Sequence, residues 1–81
     1  MHIGDTVLVH DPLNVSNGTT EHPAIVTRVW GSGETPTINV KVFPDCGEVY
    51  DITSIQHRNV FLGLYAEDDP GITARFYLLL R

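Results

Sequence analysis

The residues best suited to chemistry in this chain are its four histidines and its single cysteine. His2, His10, His22 and His57 do not show the short, regular spacing that is typical of metal ligands. His10 and His22 flank one long polar segment, however, whose two ends could bring them together with Asp11 as a metal-binding trio. The alternative is that both histidines are exposed or hydrogen-bonded in a loop. We expect neither a metal nor a cofactor.

Catalysis needs an acid, a base or a nucleophile that a further group orients. The candidate pairs are His57 with Asp51 and Cys46 with Asp45, and neither has a second partner at a persuasive spacing. The motifs of phosphate cradles, dinucleotide sites, metalloproteases and esterases are absent from the sequence. A small β-barrel also lacks room for an internal catalytic cavity. The sequence therefore predicts a protein that is not an enzyme.

Two surfaces remain as candidates for binding. The first comprises polar and aromatic residues of two predicted strands: Arg28, Trp30, Asn39 and Lys41. An aromatic ring beside a cation can stack on a base or ring and can meet a phosphate or carboxylate. The second surface is the long first loop, with Asn17 and His22 as candidate contacts. The alternative is that Trp30 is a core or rim aromatic and that the cations are solvated surface charges.

The charge balance narrows the class of partner. Ten acidic residues against five basic residues give a net charge of −5. Binding to double-stranded nucleic acid depends on Lys and Arg against phosphates, so this balance argues against it and against an anionic membrane surface. The acidic run Glu67-Asp68-Asp69 is too short for a DNA mimic, and before Pro70-Gly71 it predicts a solvated turn.

The sequence carries no sign of export or membrane insertion. Its single cysteine, Cys46, permits no internal disulfide bond. The opening residues do not read as a secretory signal, and no apolar stretch reaches membrane-spanning length. We therefore expect a cytoplasmic protein.

The elements that position these residues are predicted to be short strands. Val, Ile and Thr are abundant, and short apolar runs are separated by Gly, Pro, Asn and Asp. The pattern predicts strands over residues 6–10, 24–30, 37–43, 48–52, 60–65 and 75–80, with a helical turn between 53 and 59. Five or six strands with a long first loop and two tight hairpins predict one all-β domain over residues 1–81. Its expected form is a small SH3-like barrel of strongly bent antiparallel strands.

The orientation of Trp30 is left open by the alternation of the second strand. In one choice the core-facing side chains are Ile25, Thr27 and Val29. Arg28 and Trp30 then lie on the outer face. The register that keeps like charges apart places Arg28 opposite Asn39 and Val26 opposite Lys41. The opposite choice buries Trp30 as a large core residue.

The C-terminal strand carries an apolar run over residues 76–80, which does not alternate. Both of its faces must therefore be covered. The cover is either the barrel itself or a subunit interface, since an exposed run of this kind promotes aggregation. We predict a homo-oligomer that forms through this strand.

Two segments resemble a pattern found in small proteins of phages and prophages. Residues 22–30 read HPAIVTRVW and residues 37–45 read TINVKVFPD. The opening Gly4-Asp5-x-Val7 is also similar to theirs. The resemblance covers about residues 3 to 52, and the part after Ile52 departs from it.

Proteins of that kind look like SH3-like barrels and are generally of unassigned function. The resemblance implies a phage-encoded, non-catalytic binding module that inhibits a host defence factor in the host cytoplasm. Two alternatives stay open: an oligomeric protein that sequesters a small nucleotide signal, and a structural component of the virion. The implied partner is a host protein or a small nucleotide ligand.

Overall fold

The computed structural model describes residues 1–65 and 75–80. These residues form one antiparallel sheet and a short helix. The strands are β1 (Thr6–His10), β2 (Glu21–Val29), β3 (Ile38–Val42), β4 (Tyr50–Ile55) and β5 (Phe76–Leu79), and the helix is α1 (Arg58–Tyr65). Their order in the sheet is β4-β3-β2-β1-β5. The predicted all-β class is confirmed, whereas the predicted acidic turn at residues 67–71 lies outside the described residues.

The core lies on one face of the sheet, because buried side chains alternate with more exposed ones along β1 and β3 and over residues 22–26 of β2. The buried apolar side chains are Val7, Val9, Ala24, Val26, Ile38, Val40, Val42, Ile52, Ile55 and Tyr77. Tyr77 is the largest of them, and its hydroxyl donates a hydrogen bond to the carbonyl of Pro36, 41 residues away. This bond joins the last strand to the segment that leads into β3.

The two edges of the sheet meet beyond the end of β4. The backbone N–H of Tyr77 donates to the carbonyl of Gln56 at 3.0 Å, and Tyr77 forms a parallel bridge with His57. The His57 ring also meets the Tyr77 ring edge-on at 5.3 Å. The sheet therefore curls back on itself, which is consistent with the expected SH3-like barrel and protects part of both edges.

Both β2 and β4 contain an extra residue relative to β3. The register shifts between Val26 and Arg28 in β2, and a second shift lies where β3 pairs with β4. Ser54, in the second shift, has a φ of 57°. A bulge reverses the alternation of side chains along a strand. In β2, Ala24 and Val26 therefore face the core while Arg28 faces outward.

The bulge at Thr27 explains which predictions for β2 fail. Ile25 and Thr27 are exposed, so the predicted core-facing set is wrong for both residues, although Val29 does pack against the core. Trp30 is 50% exposed, which makes the alternative of a buried Trp30 wrong as well. Both choices assumed one alternation along the whole strand, whereas β2 turns Ala24 and Val26 to the core before the bulge and Val29 to the core after it.

The predicted pairing of β2 with β3 is half correct. Arg28 lies opposite Asn39, as predicted. Val26 lies opposite Val40, and Lys41 lies opposite Ile25, so the predicted pair of Val26 with Lys41 is wrong. The two predicted pairs assume a continuous register between β2 and β3. The bulge at Thr27 shifts the pairing of the residues before it by one position, so only the pair after the bulge is as predicted.

The strand predicted over residues 60–65 is also wrong, because this stretch belongs to α1. His57 begins the helix: its Nδ1 accepts a hydrogen bond from the Asn59 N–H at 3.1 Å, and its carbonyl accepts one from the Phe61 N–H at 2.8 Å. The periodicity of a short apolar run does not distinguish a strand from a helix. Here the hydrogen bonds to His57 at the start of the segment favour the helix. The helix places Phe61 6.0 Å from Phe76 of β5.

Candidate binding face

The four predicted ligand-binding residues lie together on the outer face of β2 and β3. The bulge turns Arg28 outward opposite Asn39, Trp30 follows the end of β2, and Lys41 lies two residues beyond Asn39 on the same face. We call Arg28, Trp30, Asn39 and Lys41 the cation–aromatic face. Their grouping follows from the pairing of the two strands. Their role in binding stays a prediction.

Arg28 and Trp30 contact each other directly. The guanidinium carbon of Arg28 lies 4.0 Å from the centre of the Trp30 ring. A cation over an aromatic face at an exposed site contributes about 0.5–1 kcal/mol. The contact covers one side of the indole and leaves Trp30 50% exposed. The guanidinium and the free part of the indole together form one contact surface.

Asn39 fixes the edge of the indole. Its Oδ1 accepts a hydrogen bond from Trp30 Nε1 at 2.7 Å and a second one from the backbone N–H of Ser54 at 2.8 Å. The left-handed backbone of Ser54 belongs to the bulge of β4. Asn39 therefore connects the exposed tryptophan to the neighbouring strand, and Trp30 is held on two sides.

Lys41 contributes the second positive charge of the face. Its Nζ lies 3.3 Å from the Asp51 carboxylate, and the two side chains are 48% and 65% exposed. Exposed ion pairs of this kind contribute little to stability because water screens them. The ammonium group is therefore accessible to an incoming anion.

The loop residues Asn17 and His22 form no part of this face. Asn17 and Gly18 both have a positive φ, of 49° and 81°, and they form the tight turn that an Asn-Gly pair favours. Asn17 Nδ2 donates to the Asp45 carboxylate. Within the described ranges, no hydrogen bond, ion pair or ring contact joins Asn17 or His22 to the cation–aromatic face.

The possible metal trio is not assembled. His22 is fully buried, donates from Nε2 to the Asn14 carbonyl at 2.6 Å and leaves Nδ1 without a hydrogen-bond partner. His10 lies on the other side of the sheet, stacked on Phe76 at 4.7 Å. No group of three metal-ligating side chains occurs in the part of the chain that the structure describes.

Sequence reasoning missed a buried cluster around Asp11. The Asp11 carboxylate is completely buried and accepts hydrogen bonds from the Tyr50 hydroxyl at 2.6 Å, from Arg75 Nε at 2.9 Å and from the Leu13 N–H at 3.1 Å. The only signal in the sequence was the turn at Asp11-Pro12, which says nothing of partners far along the chain. The cluster ties the first loop to β4 and to the start of β5.

The environment shifts the pKa values of this cluster. Burial alone would raise the pKa of Asp11, but the hydrogen bonds from Tyr50 and Arg75 and the charge of Arg75 hold it below its usual value. Burial and the bond to Asp11 raise the pKa of Tyr50 to about 12. Three donors therefore hold the buried carboxylate in place and connect the first loop to Tyr50 and Arg75.

A groove of about 330 Å³ adjoins the cation–aromatic face. It lies between β4 and α1, and its walls include Ser54, Gln56, Phe61 and Arg75. Ser54 thus borders both the groove and the Asn39–Trp30 contact. Small-molecule sites are concave and mix apolar walls with a few polar groups, and this groove has that composition.

Comparison with protein-family models, with curated proteins and with solved structures finds no match to this chain. In the described ranges, no helix has both the length and the apolar character needed to cross a membrane.

Proposed function

We propose that this protein is a non-catalytic binding module that engages a partner protein through the cation–aromatic face. The observation that carries the proposal is the fixed, half-exposed Trp30 between Arg28 and Asn39. Trp and Arg are enriched among the few residues that dominate the binding energy at protein interfaces. A side chain that is already held in place loses less conformational entropy on binding, so more of its contact energy stabilises the complex.

The charges of the face indicate an acidic surface on the partner. Arg28 and Lys41 both present cations at this face, although the chain as a whole carries a net charge of −5. A guanidinium can hold a carboxylate through two parallel hydrogen bonds, and the adjacent indole adds apolar contact. A partner with exposed Asp or Glu residues beside an apolar patch would satisfy both groups.

The resemblance to small phage proteins supplies the biological part of the proposal. The protein would be phage-encoded, and it would bind a host defence factor in the host cytoplasm and inhibit it by covering a working surface. No catalytic step is needed for such inhibition.

The experiment is a pull-down from host lysate with matched variants. Trp30→Ala and Arg28→Gln remove the two central groups, while Arg58→Gln removes the same charge from the exposed start of α1. We expect the wild type and Arg58→Gln to capture the same partner and the two face variants to lose at least tenfold in recovery. A loss of about 1.4 kcal/mol in binding energy corresponds to that factor.

The fluorescence of Trp30 also reports directly on whether the partner binds at this face. Trp30 is the only tryptophan in the chain, so its fluorescence reports on this face alone. Titration with the purified partner should change its emission. An unchanged emission, or equal capture by Trp30→Ala and the wild type, would count against the proposed face.

A second candidate function is sequestration of a small nucleotide signal. The groove beside Ser54 favours it, because Arg75 and Gln56 offer hydrogen-bond donors near an aromatic wall from Phe61. A thermal-shift screen against cyclic oligonucleotides, ADP-ribose derivatives and mononucleotides tests this. A ligand at 100 times its Kd stabilises by about 2.7 kcal/mol, which is roughly ten degrees or more in Tm for so small a domain. A flat screen would leave the partner protein as the occupant.

A further inference from the structure

The groove between β4 and α1 has one charged side chain among its described walls. Those walls are Ile52, Thr53, Ser54, Ile55, Gln56, Phe61 and Arg75. Arg75 carries the charge, and the other walls are neutral. In small-molecule sites a few polar groups fix the orientation of the ligand. Arg75 therefore favours a ligand with one anionic group.

The buried carboxylate of Asp11 holds Arg75 from behind. Nε of Arg75 donates to Oδ1 of Asp11 at 2.9 Å. Asp11 is fully buried, also accepts from the Tyr50 hydroxyl and the Leu13 N–H, and is not a wall of the groove. The carboxylate thus orients the guanidinium without presenting a negative charge to the groove.

The guanidinium keeps its outer donors. An arginine side chain has five N–H donors, of which one, on Nε, is bonded to Asp11. The other four, on the two Nη atoms, make no hydrogen bond to the described part of the chain. Arg75 lines the groove and its side chain is 40% exposed, so these donors are accessible there. They form the planar fork that holds a carboxylate or a phosphate through two parallel hydrogen bonds.

The neutral walls suit a flat ring. Ile52 and Ile55 are buried and give the groove an apolar floor. Phe61 offers an aromatic wall, against which a flat ring can pack. The side-chain amide of Gln56 has both donors and an acceptor, and it can pair with polar atoms at the edge of such a ring.

The volume of the groove limits the size of the ligand. About 330 Å³ is at the lower end of the range of ~300–1,000 Å³ for small-molecule sites. We propose that the groove binds a small molecule with one flat ring system and one oxyanion, with the oxyanion on the Nη groups of Arg75. A nucleoside monophosphate has this chemistry, whereas a cyclic dinucleotide has twice the bases and phosphates. The inference rests on the second candidate function and names its class of ligand.

Titrations of the purified chain, followed in two-dimensional amide NMR spectra, test the site with AMP, adenosine, benzoate and cyclic di-AMP. We expect AMP to shift the backbone signals of Ser54, Gln56 and Phe61. It should also shift the Nε–H signal of Arg75. Adenosine should bind at least tenfold more weakly because it lacks the phosphate. Benzoate distinguishes the sources of the oxyanion: the same shifts with benzoate indicate that a carboxylate suffices, and shifts with AMP alone indicate a phosphate.

Two variants test the groups that hold the ligand. Arg75→Lys keeps a cation beside Asp11, but that carboxylate engages the ammonium group and no planar fork remains. Its affinity for AMP should fall at least tenfold. Arg58→Lys is the matched control, because Arg58 is exposed on α1 and is not a wall of the groove. Gln56→Leu leaves the Asp11 cluster intact and should weaken AMP binding at least threefold, and thermal melts confirm that each variant is folded.

The outcomes separate this inference from the function on which it rests. A nucleotide that binds in the groove equally well to the wild type and to Arg75→Lys would leave the second candidate function standing and overturn the Arg75 site. Cyclic di-AMP that binds there more tightly than AMP would do the same. A chain that shows no shifts with AMP or benzoate, or shifts only at the cation–aromatic face, would also overturn the inference. Capture of the partner protein by the wild type and Trp30→Ala judges the first proposal separately.

Discussion

The hydroxyl of Tyr50 donates a 2.6 Å hydrogen bond to the buried carboxylate of Asp11, 39 residues earlier in the chain. Arg75 Nε reaches the same carboxylate from 64 residues away. The first loop, β4 and the start of β5 are therefore joined through one side chain. A buried carboxylate is tolerated only when its oxygens are paired, and here three donors pair them.

Replacing Asp11 by Asn should destabilise the fold by about 2–4 kcal/mol, because the variant loses its charge-assisted bonds and leaves Arg75 without a counter-ion. Asp51→Asn is the control, since Asp51 is largely exposed and its pair with Lys41 is worth at most about 1 kcal/mol. Urea unfolding measures both. Equal losses in the two variants would show that the Asp11 cluster has no special weight.

Asp11 should also make the free energy of unfolding fall at acid pH. The pKa of Asp11 in the fold lies below its ordinary value of 3.8. Its contribution is therefore complete above that value and is lost as the pH falls through the lowered pKa. The wild type should lose stability faster than Asp11→Asn below about pH 4, and parallel curves would contradict this assignment.

Tyr77 should make the free energy of unfolding fall at alkaline pH. Burial raises its pKa from 10.0 to about 12, so the folded state holds the phenolic proton more tightly than the unfolded state does. This stabilisation is complete below about pH 10 and is lost as the pH rises towards 12. Tyr77→Phe should flatten the decline in unfolding free energy over that window, although Tyr50 will still contribute. An unchanged slope would exclude Tyr77 as its source.

Asn39→Ala should loosen the exposed tryptophan. The variant removes the acceptor of two hydrogen bonds, which should cost about 1–2 kcal/mol of stability and free the indole to rotate. Lower fluorescence anisotropy of Trp30 and a red-shifted emission are the expected signs. Asn59→Ala is the control, because Asn59 is exposed on α1. If both variants left the anisotropy at the wild-type value, Asn39 would not be the group that fixes Trp30.

Replacing Ser16, in the first loop, should also lower the stability of the fold. Its hydroxyl donates to the Cys46 carbonyl at 2.8 Å and accepts from the Cys46 N–H at 2.7 Å. Ser16→Ala should cost about 1–3 kcal/mol, since a part-buried N–H loses its acceptor. Ser32→Ala in the exposed loop after β2 should have almost no effect. Thermal unfolding of the two variants compares them, and matching Tm values would refute the expected difference.

The sequence predicted the strands well where turn residues bound them. The first strand is the predicted one, and Arg28 is opposite Asn39 as its charge suggested. The faces of β2 could not be predicted, because the bulge at Thr27 leaves no mark on the alternation. Helix α1 was missed because its start depends on capping by His57 rather than on an apolar period.

The grouping of the candidate face could be predicted because it depends on two neighbouring strands. The Asp11 cluster could not, because Tyr50 and Arg75 reach it from distant parts of the chain. Contacts of that kind arise only when the sheet curls. Sequence patterning describes each strand separately and does not describe the curl.

The place of β1 between β2 and β5 affects how the chain folds. Val7 lies opposite Leu79, so the second edge of β1 is paired only after β5, the last described strand, has joined the sheet. Closing so long a loop costs conformational entropy before any contact repays it. Chains with such non-local pairings fold in milliseconds to seconds rather than microseconds. During that interval the unpaired edge of β1 is open to pairing with the edge of another chain.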